Sequence, residues 1–112
     1  ASAQLERCDE QKVCLLHPPR VVFGGHGVSG QAFVDNAAFR QYAYKTFGAN
    51  VLDMESAAVA HVAYSNGVPF IAFRSLSDLA GGGEGENEIR TFFKLAADNS
   101  AKVLLAFLAA WP

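Results

Sequence analysis

Charge is scarce in this sequence. Asp, Glu, Lys and Arg make up 18% of its 112 residues and leave a net charge of −2 at pH 7. That balance gives no electrostatic footprint for nucleic acid or for an anionic membrane surface. Long apolar runs are missing as well. The longest, Val103 to Trp111, is under half of the ~20 residues needed to span a bilayer. Metal-binding patterns are absent: there is no HExxH and no His/Asp/Glu cluster, and His61 has no second histidine near it, so it reads as a packing or partly exposed side chain. No internal repeat occurs. Glu6, Arg7, Asp9 and Glu10 come too early for a signal peptide to open these residues, which leaves a cleaved one open. What is present is apolar, 51% of the residues, enough for a core within one domain and too much for a disordered segment.

Cysteine is nearly absent too. Cys8 and Cys14 stand in a C-x5-C spacing, which fits neither a CxxC redox motif nor a zinc knuckle. A local disulfide is the preferred reading, and two free thiols in a loop are the alternative. A bridge would place the chain in an oxidising compartment.

In order, residues 1–19 read as an irregular segment ending in Pro18-Pro19, or as the tail of an element. Arg20–Phe23 reads as a short strand. Gly24 to Gly30 reads as a glycine-rich turn. Such a turn after a strand can bring amides near a phosphate, but the glycines are not spaced GxGxxG and no Lys-Ser/Thr completes a P-loop, so a mobile turn is the plainer reading. Asn36 is a good N-cap for a helix over 37–47, which Gly48 ends. Phe39, Tyr42 and Phe47 lie near one face of it and are expected in the core. Residues 88–109 read as a long amphipathic helix with Ile89, Phe92, Phe93, Ala96, Val103, Leu104, Phe107 and Leu108 on one face.

The stretch VLDMESAAVAHVAYSNGVPFIAFRSLSD, Val51 to Asp78, holds the chemistry. A short apolar run at Val51 delivers Asp53-Met54-Glu55, and an alanine-rich helix follows from about Ser56 to Asn66, ended by Gly67. A second apolar run, Val68 to Leu76, ends at Ser77-Asp78. The pattern predicts a βαβ unit with parallel strands, which would set Glu55 and Asp78 at one crevice beyond the strand ends. The plainer reading of both carboxylates is as turn formers or helix caps, and Glu55 begins a helix, where a carboxylate is favoured anyway. After Asp78, the glycine-rich stretch to Glu86 reads either as a flap over that crevice or as a linker.

The Met-Glu pair, the Arg-x-x-Ser-Asp ending and their separation resemble the purine nucleoside phosphorylase and methylthioadenosine nucleosidase superfamily. QLERC, VSGQAFVDNAAFRQYAY and LDMESAAVA look like its plant branch, the vegetative and bark storage proteins. The likeness covers nearly the whole chain and only the C-terminal half of the family domain. It implies an α/β fold: half of a phosphorylase/hydrolase-like three-layer α/β/α domain with a mostly parallel sheet. It also implies a purine nucleoside site. Phe33 would stack on the base and the Val34 backbone would touch its edge. Met54 would pack on the sugar and Glu55 would bind the ribose 2′ and 3′ hydroxyls. Asp78, oriented by Ser77, would be the general acid at purine N7, and Arg74 would lie near the nucleophile, water or phosphate. Asp53 stands where bacterial nucleosidases commonly have glutamate, a change expected to matter little.

On this resemblance the expected ligand is a purine nucleoside or free purine base, with no cofactor unless phosphate serves as co-substrate. Nucleic acid and membrane are not expected partners. The expected function is N-glycosidic bond cleavage; the alternative is a nutrient reservoir with little or no activity. The storage branch enters the secretory pathway, which implies a vacuolar or extracellular location and agrees with a bridge. The whole is expected to be one partial domain. Faces of the first and last helices would otherwise have nothing to cover, so the rest of the family domain or a second copy of the chain is the expected partner. Turnover is not expected of these 112 residues alone.

Overall fold

A computed structural model describes residues 3–81 and 89–112. The fold is α/β: among the described residues, three helices accompany a parallel sheet of two strands. The chain divides into two compact units. Among the described residues, one comprises 24–72 and 79–81; the other comprises 3–23, 73–78 and 89–112.

The first unit runs β1 (His26–Ser29), α1 (Ala37–Phe47), β2 (Ala49–Asp53) and α2 (Ser56–Ser65). Local signals set both helices. Asn36 sits in extended backbone and its Oδ1 accepts from the Phe39 N–H at 2.8 Å, which satisfies one of the orphan amides of the first turn of α1. Gly48 ends α1 at φ 64°, and Gly67 follows α2 at φ 65°, conformations that cost an L side chain energy.

The Val51 run is a strand as expected, β2, but the other two expected strands are not formed. Arg20–Phe23 forms no strand, and Val22 and Phe23 are exposed. The pairing segment is the glycine-containing His26–Ser29, within the stretch expected to be a turn. It is held by β2, with Gly27↔Val51, Val28↔Leu52 and Ser29↔Asp53 in parallel register. Glycine makes this close approach possible, since a Cβ on Gly27 would stand 3.3 Å from Val51 Cγ1. The Val68–Leu76 run is not a strand either, and no ladder partner for it occurs among the described residues; Val68, Phe70, Ile71 and Leu76 are exposed. The βαβ unit is therefore β1–α1–β2, one step earlier in the chain than the pattern suggested. The aromatic residues of α1 are not core. Ala43 is the buried residue of that helix, while Phe39, Tyr42 and Phe47 make ring contacts with centroids 6.1 and 6.0 Å apart on an exposed face.

Leu79 to Gly81 belong to this unit and meet the start of α1. The Arg40 guanidinium donates to the Leu79 carbonyl at 2.6 Å, and a Cβ on Gly81 would stand 2.5 Å from the Ala37 nitrogen. Gly81 also has φ 84°. Gly81→Ala is therefore expected to destabilise this unit by about 2 kcal/mol or more, read as a lowered urea midpoint. An unchanged midpoint would show that the segment does not lie against α1. The flap reading covers residues 79–86, of which 82–86 lie outside the described residues.

In the second unit, residues 7–15 form a small closed loop. Cys8 and Cys14 face each other across an antiparallel bridge and are joined by a disulfide, as the preferred reading had it. The Arg7 carbonyl accepts from Leu15 N–H at 2.9 Å, and the Val13 carbonyl accepts from Asp9 N–H at 2.9 Å. The Arg7 side chain donates to the carbonyls of Leu15 and Leu16. Closing so short a loop is worth about 2 kcal/mol. The double variant Cys8→Ser/Cys14→Ser should lose that much in a denaturant titration, and reductant should then have no further effect on it. A reductant-insensitive native chain would contradict the bridge.

The expected long helix is α3 (Ile89–Ala110). Its buried line passes through Leu95, Ala96 and Asn99, with Phe92 and Val103 half-buried on either side. Phe93, Leu104 and Leu108, expected on the packed face, are exposed. The polar residue in the buried line has a reason. Asn99 accepts from the Glu6 N–H at 2.8 Å and donates to the Glu6 carbonyl at 2.9 Å, so it pairs with the N-terminal segment as a neighbouring strand would. Lys102 adds an ion pair to Glu6 at 2.9 Å. Lys94 donates to Asp98 at 2.7 Å, and this bond, with the Asp98 and Glu10 charges, raises its pKa above the usual 10.5.

Candidate functional site

The sheet of the first unit delivers two chain segments to one edge. β1 and β2 are parallel, so the residues after Ser29 and those after Asp53 both leave from the carboxyl edge, where ligands of α/β proteins bind. Phe33 and Val34 follow β1; Met54 and Glu55 follow β2. Phe33 is 57% exposed, so the ring is open to contact rather than spent in a core. Met54 and Glu55 are exposed, and Val34 is half-buried.

Glu55 is the N-cap residue of α2, yet its side chain makes no capping hydrogen bond. Two other side chains cap the helix. Asp53 Oδ1 accepts from the N–H of Glu55 at 3.2 Å and of Ser56 at 3.0 Å. Ser29 Oγ, from the paired position on β1, accepts from the N–H of Ala57 at 3.1 Å. The plain reading of Glu55 as a helix cap therefore does not hold. Ser29 and Asp53 are the residues sequence reasoning passed over. The Asp53 side chain bonding two and three residues ahead was legible as an Asx-type turn. Ser29 was not, because its role depends on the strand pairing.

Arg74, Ser77 and Asp78 lie in the second unit. Ser77 Oγ donates to Asp78 Oδ1 at 2.8 Å, the orientation expected of that pair. Ser77 and Asp78 are half-buried and Arg74 is exposed. Their segment begins at Phe73, whose ring packs 5.1 Å from that of Phe107 on α3, and Phe107 in turn packs on Trp111. The expected strand 68–76 does not carry Asp78, so the strand-pairing argument that set it beside Glu55 does not apply. The seven residues fall into two groups, four with the sheet and three with α3.

His61 is exposed on α2. Among the described residues no three His, Cys, Asp or Glu gather as a metal site, and no helix is long and apolar enough to cross a membrane.

Comparison with known proteins agrees with this architecture. The family model described as the phosphorylase superfamily matches residues 1–109. A 5′-methylthioadenosine/S-adenosylhomocysteine nucleosidase of Treponema pallidum (strain Nichols) is 41% identical over 85 residues, covering 75% of this chain and 32% of its own length. The protein of the same name from Staphylococcus aureus (strain JH9) is 36% identical over 83 residues, covering 73% of this chain and 36% of its own length. The chain thus spans about a third of the length of these relatives. No solved structure matches.

Proposed function

Since this chain belongs to the phosphorylase superfamily, we propose that it contributes the base- and sugar-binding half of a site that cleaves the N-glycosidic bond of purine nucleosides. The observation that carries the proposal is the shared carboxyl edge of β1 and β2, with an open Phe33 after one strand and Glu55, not used as a cap, after the other. A nucleoside needs an aromatic face for its base and an acceptor pair for its vicinal hydroxyls, and these residues supply them.

Asp78 acts as the general acid. As the bond from C1′ to the purine breaks, its electron pair moves onto the base, and a proton from Asp78 at N7 neutralises the charge. C1′ becomes oxocarbenium-like, and Arg74 stands with the nucleophile that closes it. The hydrogen bond from Ser77 orients the half-buried Asp78 carboxyl. The relatives are named nucleosidases, which favours water over phosphate as nucleophile. The disulfide favours an oxidising compartment, in keeping with a secretory location.

Base release from 5′-methylthioadenosine, S-adenosylhomocysteine, adenosine and inosine, with and without phosphate, tests the proposal on the full protein. Hydrolysis of at least one supports it. No release from any, at substrate levels well above typical KM values, would leave the nutrient reservoir of the storage branch as the better reading. The 112 residues prepared by themselves are expected to release no base, because the family's nucleophile-activating residues lie in its other half. Turnover by a preparation of this mass would overturn that expectation.

A further inference from the structure

Ser29 and Asp53 cap the start of α2. We propose that Ser29 and Asp53 are positioning residues that set the carboxylate of Glu55 for the ribose hydroxyls, a proposal that rests on the reading of Glu55 as the sugar-binding residue.

Glu55 leaves β2 at a corner, where a flexible backbone would let its side chain sweep a wide arc. Its backbone is held on both sides instead. The N–H donates to Asp53 Oδ1 at 3.2 Å, and the carbonyl accepts from Val59 N–H at 3.2 Å in the first turn of α2. The next two amides are also taken, Ser56 N–H by the same Asp53 oxygen and Ala57 N–H by Ser29 Oγ. Asp53 is fixed in turn, since its carbonyl accepts from Gly30 N–H at 3.1 Å and it stands opposite Ser29 in the ladder. Three consecutive amides are thus tied to side chains from the ends of two paired strands. The amides at this helix start are occupied by the protein's own oxygens, so the arrangement is a clamp and not an anion site. Holding a binding group within a fraction of an ångström of its working position is what separates a selective site from a loose one.

The readout is the preference for adenosine over 2′,3′-dideoxyadenosine, measured by equilibrium dialysis in the full protein carrying Asp78→Asn so that neither ligand is consumed. Free adenine serves as the control ligand, because it touches only the base side. Glu55→Ala should abolish the preference. Asp53→Ala should lower it about tenfold, and Ser29→Ala about threefold, as expected for a loosened but present carboxylate. Adenine affinity should stay within about twofold in both. Asp53→Asn keeps the accepting oxygen and should recover most of the preference. Amide hydrogen exchange at Ser56 and Ala57 should quicken in Asp53→Ala and Ser29→Ala without any ligand present.

If Glu55→Ala leaves the preference intact, the sugar-binding reading fails and the inference with it. If Glu55→Ala abolishes it while Asp53→Ala and Ser29→Ala do not lower it, the reading survives and the inference is overturned. A parallel loss of adenosine and adenine binding in Asp53→Ala would show a merely structural role and overturn it as well. Should Asp53→Ala fail to fold, Ser29→Ala, which removes a single oxygen, carries the same test.

Discussion

Asp78→Asn in the full protein is expected to slow base release from a purine nucleoside by about 10²–10⁴-fold in kcat, the usual contribution of a placed general acid. Asparagine keeps the size of the side chain and an oxygen that can accept from Ser77 Oγ, as Asp78 Oδ1 does at 2.8 Å. What it lacks is the proton for N7. KM should therefore change little, which separates a lost acid from a lost binding contact. A substrate whose leaving group needs no proton, such as p-nitrophenyl β-riboside, should be cleaved almost as fast by Asp78→Asn as by the native protein. Ser77→Ala should cost less, about tenfold, because it disturbs the orientation of the acid and leaves the proton in place. An unaltered kcat in Asp78→Asn, or an equal loss on the riboside with the good leaving group, would remove Asp78 from the acid role.

Asn99→Asp is expected to cost about 3 kcal/mol of stability near neutral pH. Asn99 is 6% exposed and both of its hydrogen bonds go to one residue, accepting from the Glu6 N–H and donating to the Glu6 carbonyl. An ionised aspartate can still accept, but it sets a second oxygen against that carbonyl and buries a charge. A protonated aspartic acid can make both bonds. Its folded-state pKa must then lie above the unfolded value near 4, so the penalty grows as pH rises through that value and levels off above the folded pKa. Urea titrations of the native and variant chains should therefore converge toward pH 4 and part by pH 7. A gap independent of pH would mean that Asn99 does not pair with the N-terminal segment in this way.

The helices were legible because their signals are local. Asn36, Gly48 and Gly67 each act on residues within a turn of themselves, and each stands where a helix begins or ends. The stripe of α3 was legible in period but not in phase, since the polar Asn99 sits in the buried line and only the Glu6 backbone explains it. Apart from the Val51 run, which is β2, the strands were misread for the opposite reason. RVVF and VPFIAF have strong strand propensity and form none, whereas the weak former His26–Ser29 is a strand because β2 lies beside it. Strand formation depends on a neighbour that a linear reading cannot supply. At the site, the residue types were readable and their standing was not: whether Glu55 caps α2 depended on Ser29, distant in the chain and next door in the sheet.

The ladder between β1 and β2 breaks its register between His26 and Gly27, so that Asn50 has no opposite number. Its amide oxygen accepts from His26 N–H at 3.0 Å in place of a main-chain acceptor. This one surplus residue governs parity. From Gly27 onward the strands advance in step, and Ser29 and Asp53 arrive level with each other at the start of α2. A strand that slips by one residue turns every side chain to the other side of the sheet. Loss of Asn50 from the chain would therefore leave it two choices: stretch the turn at Gly48 to keep the count, or advance β2 by one and carry Asp53 to the wrong face. Chain length between Gly48 and Asp53 is thus far less free to vary than the exposure of Asn50 suggests, whereas residues 31–35, which enter no ladder, can gain or lose a member without changing which way any strand residue faces.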